Sequence, residues 1–150
     1  MATFNATSIL IDAFLDELEA VQRRMNPGLS SVYTDVIRAA GSMSMEIIAN
    51  TNAFYHNIEH SMMVTLVGHE ILQGKFLRDG NVSDSDWVHF IVSLLCHDIG
   101  YVRGICPGDH GDMMVIDEAG NTIKLPAGAT RRLPHPLSRG ARHAVRALAF

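Results

Sequence analysis

Apolar residues recur at helical spacing along most of this chain. The first stripe, Ile9, Leu10, Ala13, Phe14, Leu18 and Val21, follows Thr7 and Ser8, either of which can cap a helix, and stops near Asn26-Pro27-Gly28. A second helix is expected from about Ser31 through Val32, Val36, Ile37 and Ala40 to Ile47 and Ile48, with Gly41 as its weak point and Asn50 to Asn52 as its break. A third begins at or just before Asn57, carries His60, Met63, Val64, Val67 and Ile71 on one buried stripe, and ends near Gly74. After a turn at Asp79 to Val82, Ser83 caps a fourth helix whose first turn holds Asp84 and Asp86, acids that suit the positive end of a helix. Its stripe of Val88, Ile91, Val92 and Leu95 should carry it to His97 or Asp98, and Gly100 marks the exit.

Beyond that point the texture changes. Residues 102–112 are rich in Gly and polar side chains and read as an irregular loop. Met114 to Ile116 and Thr122 to Leu125 then flank Glu118 to Asn121, which predicts a small β-hairpin near 114–125. The expected fold class is therefore all-α, a helical bundle with one small hairpin.

Composition narrows the picture. With 150 residues, 47% hydrophobic and 19% charged, the chain has the makings of one domain with a real core. A net charge of −4 argues against a nucleic-acid polymer as partner, which calls for a basic face. No apolar run is long enough for a membrane span, and Asp12, Asp16, Glu17 and Glu19 make the first stripe amphipathic, unlike a signal peptide. A cytoplasmic location is expected. Cys96 and Cys106 then read as free thiols, and the Asn5-Ala6-Thr7 sequon as accidental.

The last twenty residues stand apart, with five of the ten arginines and none of the sixteen acids. The chain divides on this ground into 1–130, the helical domain, and 131–150, a basic atypical tail. The tail reads as a basic arm, as a terminal helix from Arg139 to Phe150, or as residues translated out of frame; the last is the favoured expectation.

Candidate chemistry lies in the middle of the chain. Residues 55–60 read YHNIEH and residues 97–98 read HD. On one helix His56 and His60 would share a face, and His97 with Asp98 would close on them from a neighbour. Three imidazoles and one carboxylate suit Zn, Mn, Fe or Mg in a site with open positions, an arrangement more catalytic than structural. A helix ending at His97 and Asp98 also points its unpaired carbonyls toward a cation.

The segment HNIEHSMMV, His56 to Val64, resembles the HNxxHxxxV signature of cyclic-nucleotide phosphodiesterases, and the later HD completes the likeness to the HD superfamily of metal-dependent phosphohydrolases. The resemblance is dense over 55–101 and thin elsewhere. It implies an all-α bundle holding one or two divalent ions, with His60, His97 and Asp98 as metal ligands and Asp98 bridging. It also implies His56 as general acid for the leaving oxygen and Asn57 as the residue that orients the turn. A proton donor at His56 calls for an acidic neighbour, and Glu59 is the nearest in sequence.

The family takes a fourth protein ligand from an aspartate on a much later helix, and no such helix is visible here. Asp109, Asp112 and Asp117 sit in unlike contexts. The HD-like bundle is accordingly expected to be incomplete, as in an N-terminal fragment, leaving apolar surface through which the chain would self-associate.

Several residues have plainer readings. His69 and His89 read as ordinary helix residues. Cys96, in a strongly apolar helix, reads as a buried and inert thiol. Tyr55 and Tyr101 flank the motifs and more often fill a core than stack on a base. Arg103 is a candidate for substrate phosphate, with a solvated loop arginine equally plausible. The expected function is a phosphohydrolase acting through metal-activated water on a small phosphorylated substrate, a phosphomonoester or phosphodiester such as a nucleotide or cyclic nucleotide. The alternative is a catalytically silent helical module lacking the fourth ligand.

Overall fold

The computed structural model describes residues 5–50, 55–102, 104–117 and 119–124. Arg103 and the tail 131–150 lie outside the described residues, as does Leu125 of the expected hairpin. Four helices form as the apolar periodicity predicts: α1 (Ala6–Met25), α2 (Ser31–Ala49), α3 (Ile58–Asp79) and α4 (Asp84–Cys96). A single 3₁₀ turn (Ile99–Tyr101) follows, then β1 (Met113–Val115) paired antiparallel with β2 (Thr122–Lys124). The fold is mainly helical with one small hairpin, as expected.

Local chemistry sets the ends of these elements. Asn5 caps α1, its side-chain oxygen accepting from the N–H groups of Thr7 and Ser8, so the cap falls earlier than the expected Thr7 or Ser8. Ser83 caps α4 as expected, and Asp86 closes a reciprocal capping box with it. Asn57 caps α3, and the helix runs past Gly74 to Gly80, whose φ of 64° gives the left-handed exit. The expected stop at Gly74 fails because one glycine costs a helix only about 1 kcal/mol.

α4 forms the centre of the core, packing on α2 and α3, while α1 closes on α2. Ile91, Leu95 and Cys96 are fully buried there with Ile11 and Leu18 of α1 and Met45 of α2. Each such large side chain contributes about 1.5–3 kcal/mol from burial. Gly41 is no weak point, because α2 is continuous through it and a Cβ there would stand 2.6 Å from Leu15 Cδ2. The glycine lets α1 approach closely. Arg38 bridges Asp16 and Glu19 across these two helices, and Asn26 after α1 bonds Asp84 at the start of α4.

α3 departs most from its sequence pattern. Met63, Val67 and Ile71 are 66%, 55% and 64% exposed, and the buried face is Ser61, Met62, Thr65, Gly68, His69 and Leu72. Close packing explains the rotation. A Cβ on Gly68 would lie 2.2 Å from Leu94 Cδ1 of α4, so a residue without a side chain fits at that point of approach. The hydroxyls on this face are satisfied within the helix, Thr65 donating to the Ser61 carbonyl at 2.8 Å and Ser61 to the Asn57 carbonyl at 3.3 Å. Among the described residues, no helix is long and apolar enough to cross a membrane.

Candidate metal centre

The end of α4 delivers two of the four residues. The helix stops at Cys96, His97 is its C-cap, and Asp98 opens the 3₁₀ turn just beyond. The pair thus lies past the last turn and not within it as expected. His97 Nδ1 donates to the Leu94 carbonyl at 2.6 Å, which satisfies a carbonyl of the last helical turn and leaves Nε2 to face Asp98 Oδ2 at 3.1 Å. Asp98 is 2% exposed.

α3 delivers His60 from its first turn, its backbone N–H bonded to the capping Asn57 Oδ1 at 2.9 Å. Asn57 therefore fixes the first turn of α3. His56 precedes that cap, so it does not share a helical face with His60 as the four-residue spacing suggested. It reaches the centre from the segment before the helix.

All three imidazoles meet one oxygen. Asp98 Oδ2 lies 2.9 Å from His56 Nδ1, 3.3 Å from His60 Nε2 and 3.1 Å from His97 Nε2, and the last two nitrogens are 3.4 Å apart. Bonds of about 2.0–2.2 Å to one ion at tetrahedral or octahedral angles put neighbouring ligand atoms roughly 3.0–3.5 Å apart. The donor atoms of His60, His97 and Asp98 therefore stand at spacings compatible with a single divalent ion. The donor atoms of His56, His60 and Asp98 also lie within 4.8 Å of one another, so distance alone admits His56 to the ligand set.

Electrostatics agree with this geometry. Burial by itself would raise the Asp98 carboxyl, but hydrogen bonds from His97 and His56, with their charge, outweigh it and hold the carboxyl below its ordinary value. His97 is raised in turn, chiefly by its bond to Asp98 and further by the Leu94 carbonyl, against the opposing effect of burial. The centre favours an anionic oxygen facing a positive charge. The carboxylate beside His56 is Asp98, not Glu59, which is exposed.

Aromatic rings wall the centre. Tyr101 stacks on His56 with centroids 4.3 Å apart and planes 13° from parallel, and Tyr55, largely exposed, leans on His60 at 4.5 Å. Neither tyrosine belongs to the core cluster, contrary to the core-filling expectation. Asp109 accepts from the N–H groups of Gly104, Cys106 and Val115, Asp117 from those of Ala119 and Asn121, and Asp112 pairs with Lys124. These carboxylates organise the loop and hairpin. Cys96 is buried and its thiol is pushed up by that burial, an inert thiol as expected.

His69 is the residue that sequence reasoning missed. It is 1% exposed on the buried face of α3, with its ring edge-on to Trp87 at 5.0 Å. Burial lowers its pKa, with Glu70 opposing.

A family model described as Npun_R2479-like matches residues 4–141, from before α1 into the basic tail. No curated protein and no solved structure matches the chain.

Proposed function

The chain belongs to the Npun_R2479-like family, and from the convergence of three imidazoles on one buried carboxylate we propose that it is a metal-dependent phosphohydrolase of the HD type. One observation carries the reading: a single oxygen, Asp98 Oδ2, faces ring nitrogens of His56, His60 and His97 at 2.9, 3.3 and 3.1 Å. His60, His97 and Asp98 would hold the ion, and Zn, Mn, Fe and Mg all accept mixed imidazole and carboxylate ligands to differing degrees. A divalent cation bound there supplies a water that ionises near neutral pH and positive charge for the phosphoryl oxygens.

The protein's own part is positional. Leu94 fixes the tautomer of His97, the Asn57 cap fixes the turn carrying His60, and burial keeps solvent from Asp98. His56 is the proton donor to the leaving oxygen. Its Nδ1 edge is taken up by Asp98, so Nε2 is the nitrogen left to carry that proton. The substrate class is a small phosphomonoester or phosphodiester, with nucleotides and cyclic nucleotides the first to screen.

The test is elemental analysis of the purified chain beside His60→Ala and His97→Ala, followed by generic phosphomonoester and phosphodiester assays. The reading expects near-stoichiometric metal in the wild type, loss in both variants, and hydrolysis by the wild type alone. Metal-free wild type, or metal retained in both variants, overturns it.

The exposed apolar face of α3, Met63, Leu66, Val67 and Ile71, supports a second reading. Monomers seldom leave such surface bare, and a catalytically silent helical module that works by association would use it. That reading expects metal-free protein that self-associates.

A further inference from the structure

We infer that Tyr101 is a positioning residue for His56, an inference that rests on the reading in which His56 donates a proton. His56 lies before the N-cap of α3, so no helical hydrogen bonding fixes its backbone, and its ring must be held from outside. Asp98 holds one edge through Nδ1 at 2.9 Å. A single hydrogen bond leaves the ring free to swing about it, and Tyr55 and His60 meet the ring only at right angles, with centroids 5.2 and 5.9 Å away.

Tyr101 removes that freedom. Its ring lies against the face of His56, with centroids 4.3 Å apart and planes within 13° of parallel. An edge contact and a face contact together define the plane of the imidazole and the direction of Nε2. Both contacts come from one turn, because Tyr101 N–H donates to the Asp98 carbonyl at 3.0 Å, and in a 3₁₀ turn residues three apart stand on the same side. The turn after α4 thus presents the carboxylate and the ring as one rigid clamp.

Space filling does not account for this tyrosine. The partly buried aromatics on the core are Tyr33 and Phe90, whereas Tyr101 is half-buried against a polar ring. A planar face is what the contact needs, and the hydroxyl is not part of it. Phenylalanine should therefore serve, and a flexible apolar side chain of similar volume should not.

The experiment compares the wild type with Tyr101→Phe and Tyr101→Met by nuclear magnetic resonance of the His56 ring, with metal content and phosphoester hydrolysis measured in parallel. In the wild type and Tyr101→Phe, the carbon-bound ring protons of His56 should lie upfield of free histidine, and once Nε2 has given up its proton the neutral ring should report one tautomer, with the remaining proton on Nδ1. In Tyr101→Met the upfield shift should vanish and the tautomers should mix. Turnover should fall about 10- to 100-fold while metal content holds, as expected when a catalytic group is misplaced by about 1 Å. His56 signals in Tyr101→Met that match the wild type would overturn the inference, as would equal disturbance in Tyr101→Phe. If the ring signals behave as expected and no phosphoester is hydrolysed by any form, the clamp stands and the phosphohydrolase reading falls.

Discussion

Asp98 gathers the centre, and its neighbours divide into those that should hold an ion and one that should not. Asp98→Ala and His60→Ala are expected to lose metal, whereas His56→Ala should keep it and lose about 10²- to 10⁴-fold in turnover, the usual share of a general acid. Elemental analysis and steady-state rates on the same preparations decide the matter. Metal retained by Asp98→Ala would sink the ligand assignment, and metal lost from His56→Ala would move His56 into the ligand set. His69 gives a prediction in pH. Its folded pKa lies below the ordinary histidine value of about 6.5, so the unfolded chain binds more protons as pH falls through that value. Its contribution is complete above that range and is lost toward the lowered folded value. Urea midpoints should therefore fall between pH 7 and 5 more steeply in the wild type than in His69→Leu; parallel curves would refute this. His60, His97 and Asp98 were legible because short motifs carry them. His69 was not, because nothing in its neighbours says which face of α3 turns inward.

Among the elements, α3 shows how packing overrides pattern. Its apolar stripe predicts one buried face, yet the helix buries Ser61, Thr65 and Gly68 instead, and the bare Gly68 lets Leu94 of α4 come close. Two glycines of this one helix test the argument. An alanine normally stabilises a helix interior by about 1 kcal/mol over glycine, and Gly74→Ala, with nothing within 4 Å of the new Cβ, should do so. Gly68→Ala should instead destabilise by roughly 1–3 kcal/mol through overpacking on Leu94. Chemical denaturation of both variants reads the contrast, and equal gains in stability would show that Leu94 simply moves aside. The start of α4 was more legible: Ser83 reads as its N-cap from the sequence, because capping is local chemistry.

Taken together, the four helices bury a core around α4 and leave an apolar side of α3 facing outward. If that face pairs chains, sedimentation should show association that Ile71→Lys abolishes while circular dichroism is unchanged. Wild-type chain that stays monomeric across the accessible concentrations would remove the association reading. The periodicity of apolar residues, the caps and the turn residues were enough for four helices and a hairpin, since each depends on neighbours within a few positions. The residue types at 56, 60, 97 and 98 likewise marked the side chains that the fold brings together. The rotation of α3, the separation of His56 from its helix, the meeting of three imidazoles on one oxygen of Asp98 and the clamp by Tyr101 were not available from those patterns. They arise where segments distant along the chain are pressed together, and steric fit between their surfaces, which no local spacing encodes, selects the arrangement.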